Sequence, residues 1–168
     1  MRINMKPCMS ALAAAMTVMA SAALASDIRP GCYERVYSSS HLASHPAQHV
    51  AAIRMKVGDW ITNVSRDTRM EVVFANQGKL RGTAEAGRTM AQFLFCGTES
   101  RGDRCQVECD GGSLDVTKQT NDYMVFRTRY LMVGDAQSCG GYVDLAEHPG
   151  QWVSYKLNRV SASACSGM

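Results

Sequence analysis

Much of the chain is built from short runs in which apolar and polar side chains alternate. Residues 70–74, 92–96, 105–109, 114–116, 123–133 and 152–157 are rich in β-branched and aromatic residues and are separated by Gly, Asp and Asn. That combination predicts strands joined by turns. Within 105–109 the odd positions are Cys105, Val107 and Cys109, and the even ones are Gln106 and Glu108. A period of two lays one face on a core and the other in water. Trp152, Ser154 and Lys156 oppose Val153, Tyr155 and Leu157 in the same way. Turn signals stand at 76–78, 110–112, 119–122 and 140–141. Connections this short leave no room for helical crossovers, so the strands are expected to pair antiparallel.

The predicted fold class is therefore all-β: a small disulfide-stapled antiparallel sandwich or partly closed barrel with at most one short helix. Pro46 suits the first position of that helix, and a short helix or turn is expected through His49. From about Ala51 the alternation of Ile53, Met55 and Val57 with Arg54 and Lys56 predicts another strand.

The first 25 residues follow a different pattern. Arg2 and Lys6 precede an apolar and small-residue run from Met9 to Ala25, which ends in Ala23-Leu24-Ala25 before the polar pair Ser26-Asp27. That order is a secretory signal peptide, with cleavage expected after Ala25. The expected organisation is a signal peptide over 1–25 and a single disulfide-bonded β domain over 26–168. Nothing after Ala25 is apolar for long enough to cross a bilayer as a helix. The expected localisation is periplasmic or secreted, with no transmembrane anchor after processing.

Charge narrows the partners. All 15 acids and 16 of the 18 basic residues follow residue 25, which leaves a formal charge of about +1. Arg127 and Arg129 near Lys118, and Arg101 and Arg104 around Asp103, read as solvated faces rather than as the basic stripe a nucleic acid would require.

Cys32, Cys96, Cys105, Cys109, Cys139 and Cys165 remain after processing, an even number in an exported chain and hence a disulfide framework. Their spacing contains no Cys-x-x-Cys knuckle for zinc or for redox chemistry. On one strand Cys105 and Cys109 would be about 13 Å apart, beyond the roughly 4.4–6.8 Å a disulfide spans, so they bond elsewhere. Cys96–Cys105, Cys109–Cys139 and Cys32–Cys165 form the expected set.

Candidate chemistry is sparse. His41, His45 and His49 are spaced four apart, but Pro46 prevents one helix from carrying all three. His45, His49 and His148 are the remaining metal candidates. Asp110 and Asp115 flank a Gly-rich turn, and Asp in such a turn is ordinarily a turn residue. No Gly-x-Ser-x-Gly elbow, phosphate-cradling loop or His-Glu-x-x-His pair occurs, so no cofactor is implied and the sequence favours a non-enzyme.

Recognition by loops and aromatics is the better-supported class. Tyr33, Tyr37, Trp60, Tyr123, Tyr130, Tyr142, Trp152 and Tyr155 are the available rings, and aromatics in small β domains fill the core first. Tyr33 and Tyr37 would form one patch if their segment turned helically. Residues 98–104 form the most charge-dense loop, expected to protrude from a base stapled by Cys96 and Cys105, with Arg101, Asp103 and Arg104 as contacts.

Residues 31–37 (Gly-Cys-Tyr-Glu-Arg-Val-Tyr), 41–46 (His-Leu-Ala-Ser-His-Pro) and 107–112 (Val-Glu-Cys-Asp-Gly-Gly) resemble small exported proteins of Gram-negative bacteria that carry no assigned function. The resemblance implies a compartment and no activity. Small periplasmic lysozyme inhibitors share the description of a compact disulfide-bonded β domain, but their loop motif is not found here. The expected function is binding of an extracytoplasmic protein through loops and exposed aromatics. The alternatives are a small extracytoplasmic hydrolase or a structural envelope component, with or without a metal at the histidines.

Overall fold

Strands follow one another along the computed structural model, which describes residues 28–100, 102–134 and 143–168. They are β1 (Gly31–Val36), β2 (Val50–Trp60), β3 (Arg66–Phe74), β4 (Thr89–Glu99), β5 (Gly102–Gln106), β6 (Gly112–Gln119), β7 (Tyr123–Val133), β8 (Val143–Asp144) and β9 (Val153–Val160). β1 to β7 pair in chain order, and β9 fits antiparallel between β7 and β1. The ring closes with eight strands, and β8 pairs outside it with the end of β7. The alternative of a sandwich or partly open barrel thus resolves to a closed antiparallel barrel, in which no strand of the ring keeps an unpaired edge.

Alternation decides what fills it. On β3, Thr68, Met70, Val72 and Phe74 are buried, and Arg69 between them is exposed. The same period buries Ile53, Met55 and Val57 of β2, and Tyr155 and Leu157 of β9. Phe126 and Tyr155 meet at 5.4 Å between ring centroids. An eight-stranded barrel has an interior just wide enough for side chains to fill, and these large residues occupy it.

Two disulfides lie where the sequence places them. Cys96 and Cys105 are direct partners in the β4–β5 register, with Cα atoms 4.0 Å apart. Cys32 on β1 bonds Cys165 in the short 3₁₀ turn Ala162–Cys165 after β9, joining the two ends of the barrel. Cys109 is also disulfide-bonded. Its expected partner Cys139, the signal peptide and its cleavage site, Tyr142 and Arg101 lie outside the described residues.

Three local expectations are corrected. The helix precedes Pro46: α1 spans Ser39–Ser44, with the Ser38 side chain accepting from the His41 N–H at its start. It ends at His45 (φ −126°, ψ 68°), because the proline ring disfavours the α conformation in the residue before it. Tyr33 and Tyr37 do not share a helical turn, since residues 31–36 form β1, paired with β2 on one side and β9 on the other. Cys109 is not on the strand of Cys105: β5 ends at Gln106, and Cys109 adopts a turn conformation with φ 59°.

Among the described residues no helix is long and apolar enough to cross a membrane.

Candidate binding groove on the outer wall

A row of polar side chains crosses four neighbouring strands on the barrel's outer wall. The registers place Arg104 of β5 opposite Asp115 of β6, Asp115 opposite Arg127 of β7, and Arg127 opposite Ser154 of β9. Asp115 Oδ1 accepts from Arg104 Nε at 3.0 Å and lies 2.9 Å from its Nη2; Asp115 Oδ2 lies 3.6 Å from Arg127 Nε. Arg104 also faces Glu99 at 3.8 Å. The Arg127 guanidinium sits over the Trp152 ring at 4.4 Å, and that of Arg129 at 5.6 Å. Arg104, Asp115, Arg127, Arg129 and Trp152, with Tyr130 and the β6 residues 112–113, line an open cavity of about 540 Å³.

The groove owes its shape to a break in the β7 alternation. Met124, Phe126 and Thr128 are buried, as are Leu131 and Val133, so the buried positions switch from even to odd numbers. The register shifts at the same place: Ser113 to Asp115 on β6 spans two residues where Tyr130 to Arg127 on β7 spans three. The extra residue is a β-bulge, which re-aims side chains and is found beside functional sites. Arg129 and Tyr130 both point outward as a result, consecutive residues on one face. Thr128 holds the bulge from inside, with its hydroxyl donating to Ser113 O at 2.7 Å and accepting from Tyr130 N–H at 3.1 Å.

Gly112 lets β6 approach this point. Its φ is 82°, and a Cβ there would stand 2.2 Å from Tyr130 O. Gly112→Ala therefore combines a left-handed backbone with a collision against main chain, and is expected to cost about 2 kcal/mol or more. For a domain of this size that lowers Tm by roughly 5 °C or more. A thermal melt checks it: an unchanged Tm would mean the bulge relaxes freely and does not set the groove.

Charge separates this wall from the one opposite. On β1–β3 the row Glu34, Arg54, Glu71 gives one cation two carboxylates, at 2.9 Å and 3.8 Å. Around the groove Asp115 and Glu99 are shared by two arginines, Arg104 and Arg127. Arg129 has no carboxylate within ion-pair distance among the described residues. Tyr130 and Trp152, 46% and 49% exposed, lie beside it.

The histidines assemble differently from the metal expectation. Tyr37, His41 and His45 stack as a column, with centroids 4.7 Å and then 4.1 Å apart, and His45 Nδ1 is 2.9 Å from His41 O. His49 is fully buried, its ring parallel to Phe74, and its Nε2 donates to Asp144 O at 3.0 Å. Burial, helped by the charge of Lys79, pushes the imidazole down to about 4, so it is neutral near pH 7. His148 is exposed. Among the described residues no three His, Cys, Asp or Glu side chains converge as a metal site. Asp115 is engaged by Arg104 and Arg127.

The recognition residues also part company. Tyr33 is a core residue rather than a surface anchor: it is fully buried, its hydroxyl donates to Arg29 O, and Gln119 donates to that hydroxyl. Tyr37 packs partly buried against the core, with Arg35 over its ring at 4.8 Å. The protruding loop of 98–104 is strand almost throughout, because Thr98 pairs with Asp103 and Glu99 with Gly102. Asp103 is tied to Thr98, whose hydroxyl donates to it at 2.6 Å. Among the described residues of that set, Arg104 alone lines the groove.

Arg127, Arg129 and Asp115 were not among the residues singled out for recognition. An Arg-x-Arg pair on a strand signals only an exposed face, and the bulge that adds Tyr130 to it depends on the partner strand. Comparison of the chain with protein-family models, with curated proteins and with solved structures found no match.

Proposed function

We propose that this is an extracytoplasmic binding protein, periplasmic or secreted, that engages a partner protein on the groove between β5 and β9. The observation that carries the reading is the pair of half-exposed rings, Tyr130 on the bulge and Trp152 near it, beside an arginine with no carboxylate partner among the described residues. Aromatic residues and arginine are the side chains that most often dominate protein interfaces. The barrel interior offers less, since Phe74, Phe126, Tyr33 and Tyr155 fill it. Disulfides and the export pattern of residues 1–25 support the compartment.

The test is a photo-crosslinking amino acid placed at Tyr130 and, separately, at Val36, an exposed position on β1. The labelled protein is irradiated in the extracytoplasmic fraction of its own cells. A discrete adduct at position 130, missing at position 36 and abolished by Trp152→Ala, is expected. Adducts of equal pattern at both positions, or ones indifferent to Trp152, overturn the reading.

A further inference from the structure

The charged side chains lining the groove are mostly cationic donors, three arginines to one carboxylate. Its one lining carboxylate, Asp115, has one oxygen on Arg104 and the other facing Arg127. What remains directed at a ligand is the Arg129 guanidinium with its five N–H donors, the hydroxyl of Tyr130, and the half-exposed Trp152 ring. We propose that the groove binds an acidic, extended peptide segment of the partner, with a side-chain carboxylate on Arg129 and the neighbouring residue against Trp152 and Tyr130. This rests on the binding function proposed above and specifies what the partner must present.

Charge complementarity argues for that occupant. Among the described residues, three arginines against two carboxylates leave a local excess of one positive charge, sited at Arg129. Guanidinium is matched to carboxylate geometry and can hold it with two parallel bonds. Arg127 and Arg129 sit two residues apart on one face of β7, close to the spacing of alternate side chains on an extended peptide. A basic segment would meet Arg127 and Arg129 directly and be repelled.

Trp152 supplies the readout. The chain has two tryptophans, so Trp60→Phe leaves the groove ring as the sole indole. Three probes are titrated into that variant: a glutamate hexapeptide, a lysine hexapeptide and a galacturonate hexamer. The glutamate peptide is expected to change Trp152 emission saturably, with an affinity that falls as salt rises. Arg129→Ala should weaken it by about tenfold or more, and Arg129→Lys should recover part of the loss. An equal response to the lysine peptide, a response to galacturonate alone, or a glutamate response undiminished in Arg129→Ala overturns the proposal. A specific crosslink at position 130 without any glutamate response sinks the acidic-segment inference and leaves the binding function standing. Absence of both removes both.

Discussion

Replacing Cys32 and Cys165 together by alanine should destabilise the protein by about 5 kcal/mol, against about 3 kcal/mol for the Cys96 and Cys105 pair. The difference comes first from loop length, because the bridges span sequence separations of 133 and 9 residues. It is reinforced by position. Cys96 and Cys105 face each other within a hairpin of five register pairs that holds without the bond. Cys32 stands on the seam where β1 meets β9, and only three pairs close it: Cys32 with Val160, Tyr33 with Arg159, and Glu34 with Asn158. Every other seam of the barrel is made by strands consecutive in the chain, apart from β7–β9, which is longer at six pairs. Cutting the terminal bridge frees the chain's two ends and exposes Cys165, now buried under the last turn. Urea unfolding of the two double variants measures this. A smaller loss for the terminal pair would show that the β1–β9 seam is held by packing and gains little from the bond.

His49 is expected to make the fold acid-sensitive by on the order of 3 kcal/mol. In the unfolded chain its imidazole titrates near 6.5, whereas in the barrel it is pushed down to about 4. Above about pH 6.5 it is neutral in both states and costs nothing. As pH falls through that value the unfolded chain takes up a proton that the folded one refuses, and stability is lost until the folded ring is itself protonated near 4. The surroundings explain the refusal. Burial is the largest cause, followed by the ammonium of Lys79, with His148 adding a smaller push the same way. The Asp144 carbonyl, which accepts from Nε2, and the Asp144 carboxylate oppose them without prevailing. Lys79 is held there by donating to Ala146 O, on the same segment that follows β8. His49→Gln keeps an amide donor for Asp144 O and removes the titration. The difference between wild type and variant, measured by urea unfolding from pH 7.5 to pH 4, should open by about 3 kcal/mol toward acid. Parallel profiles would show that the ring is protonated in the folded state and is not sealed from water.

The alternation along 53–57, 70–74, 92–96, 105–107 and 153–157 was enough to give strands, their buried faces and the antiparallel class. A period of two is a local property: each residue's face follows from its neighbours alone. The bridges Cys96–Cys105 and Cys32–Cys165 were also legible, since one joins the ends of adjacent strands and the other the ends of the domain. Pro46 misled because a proline suits a helix start as well as it forbids a helix behind it, and the Ser38 cap decided between them.

The groove was not legible in the same way. Arg104, Asp115, Arg127 and Ser154 are scattered over fifty residues and meet only through three registers. Tyr130 belongs with Arg129 because Gly112, on another strand, admits a bulge between them. Burial of His49 likewise depends on a segment ninety-five residues away. The sequence by itself determined most of the strands though not β1, which face each of those turns inward, and that cysteines staple them. Only the tertiary structure decided that the sheet closes and which side chains its registers bring together. Those are properties of pairing across strands, and no window along one strand contains them.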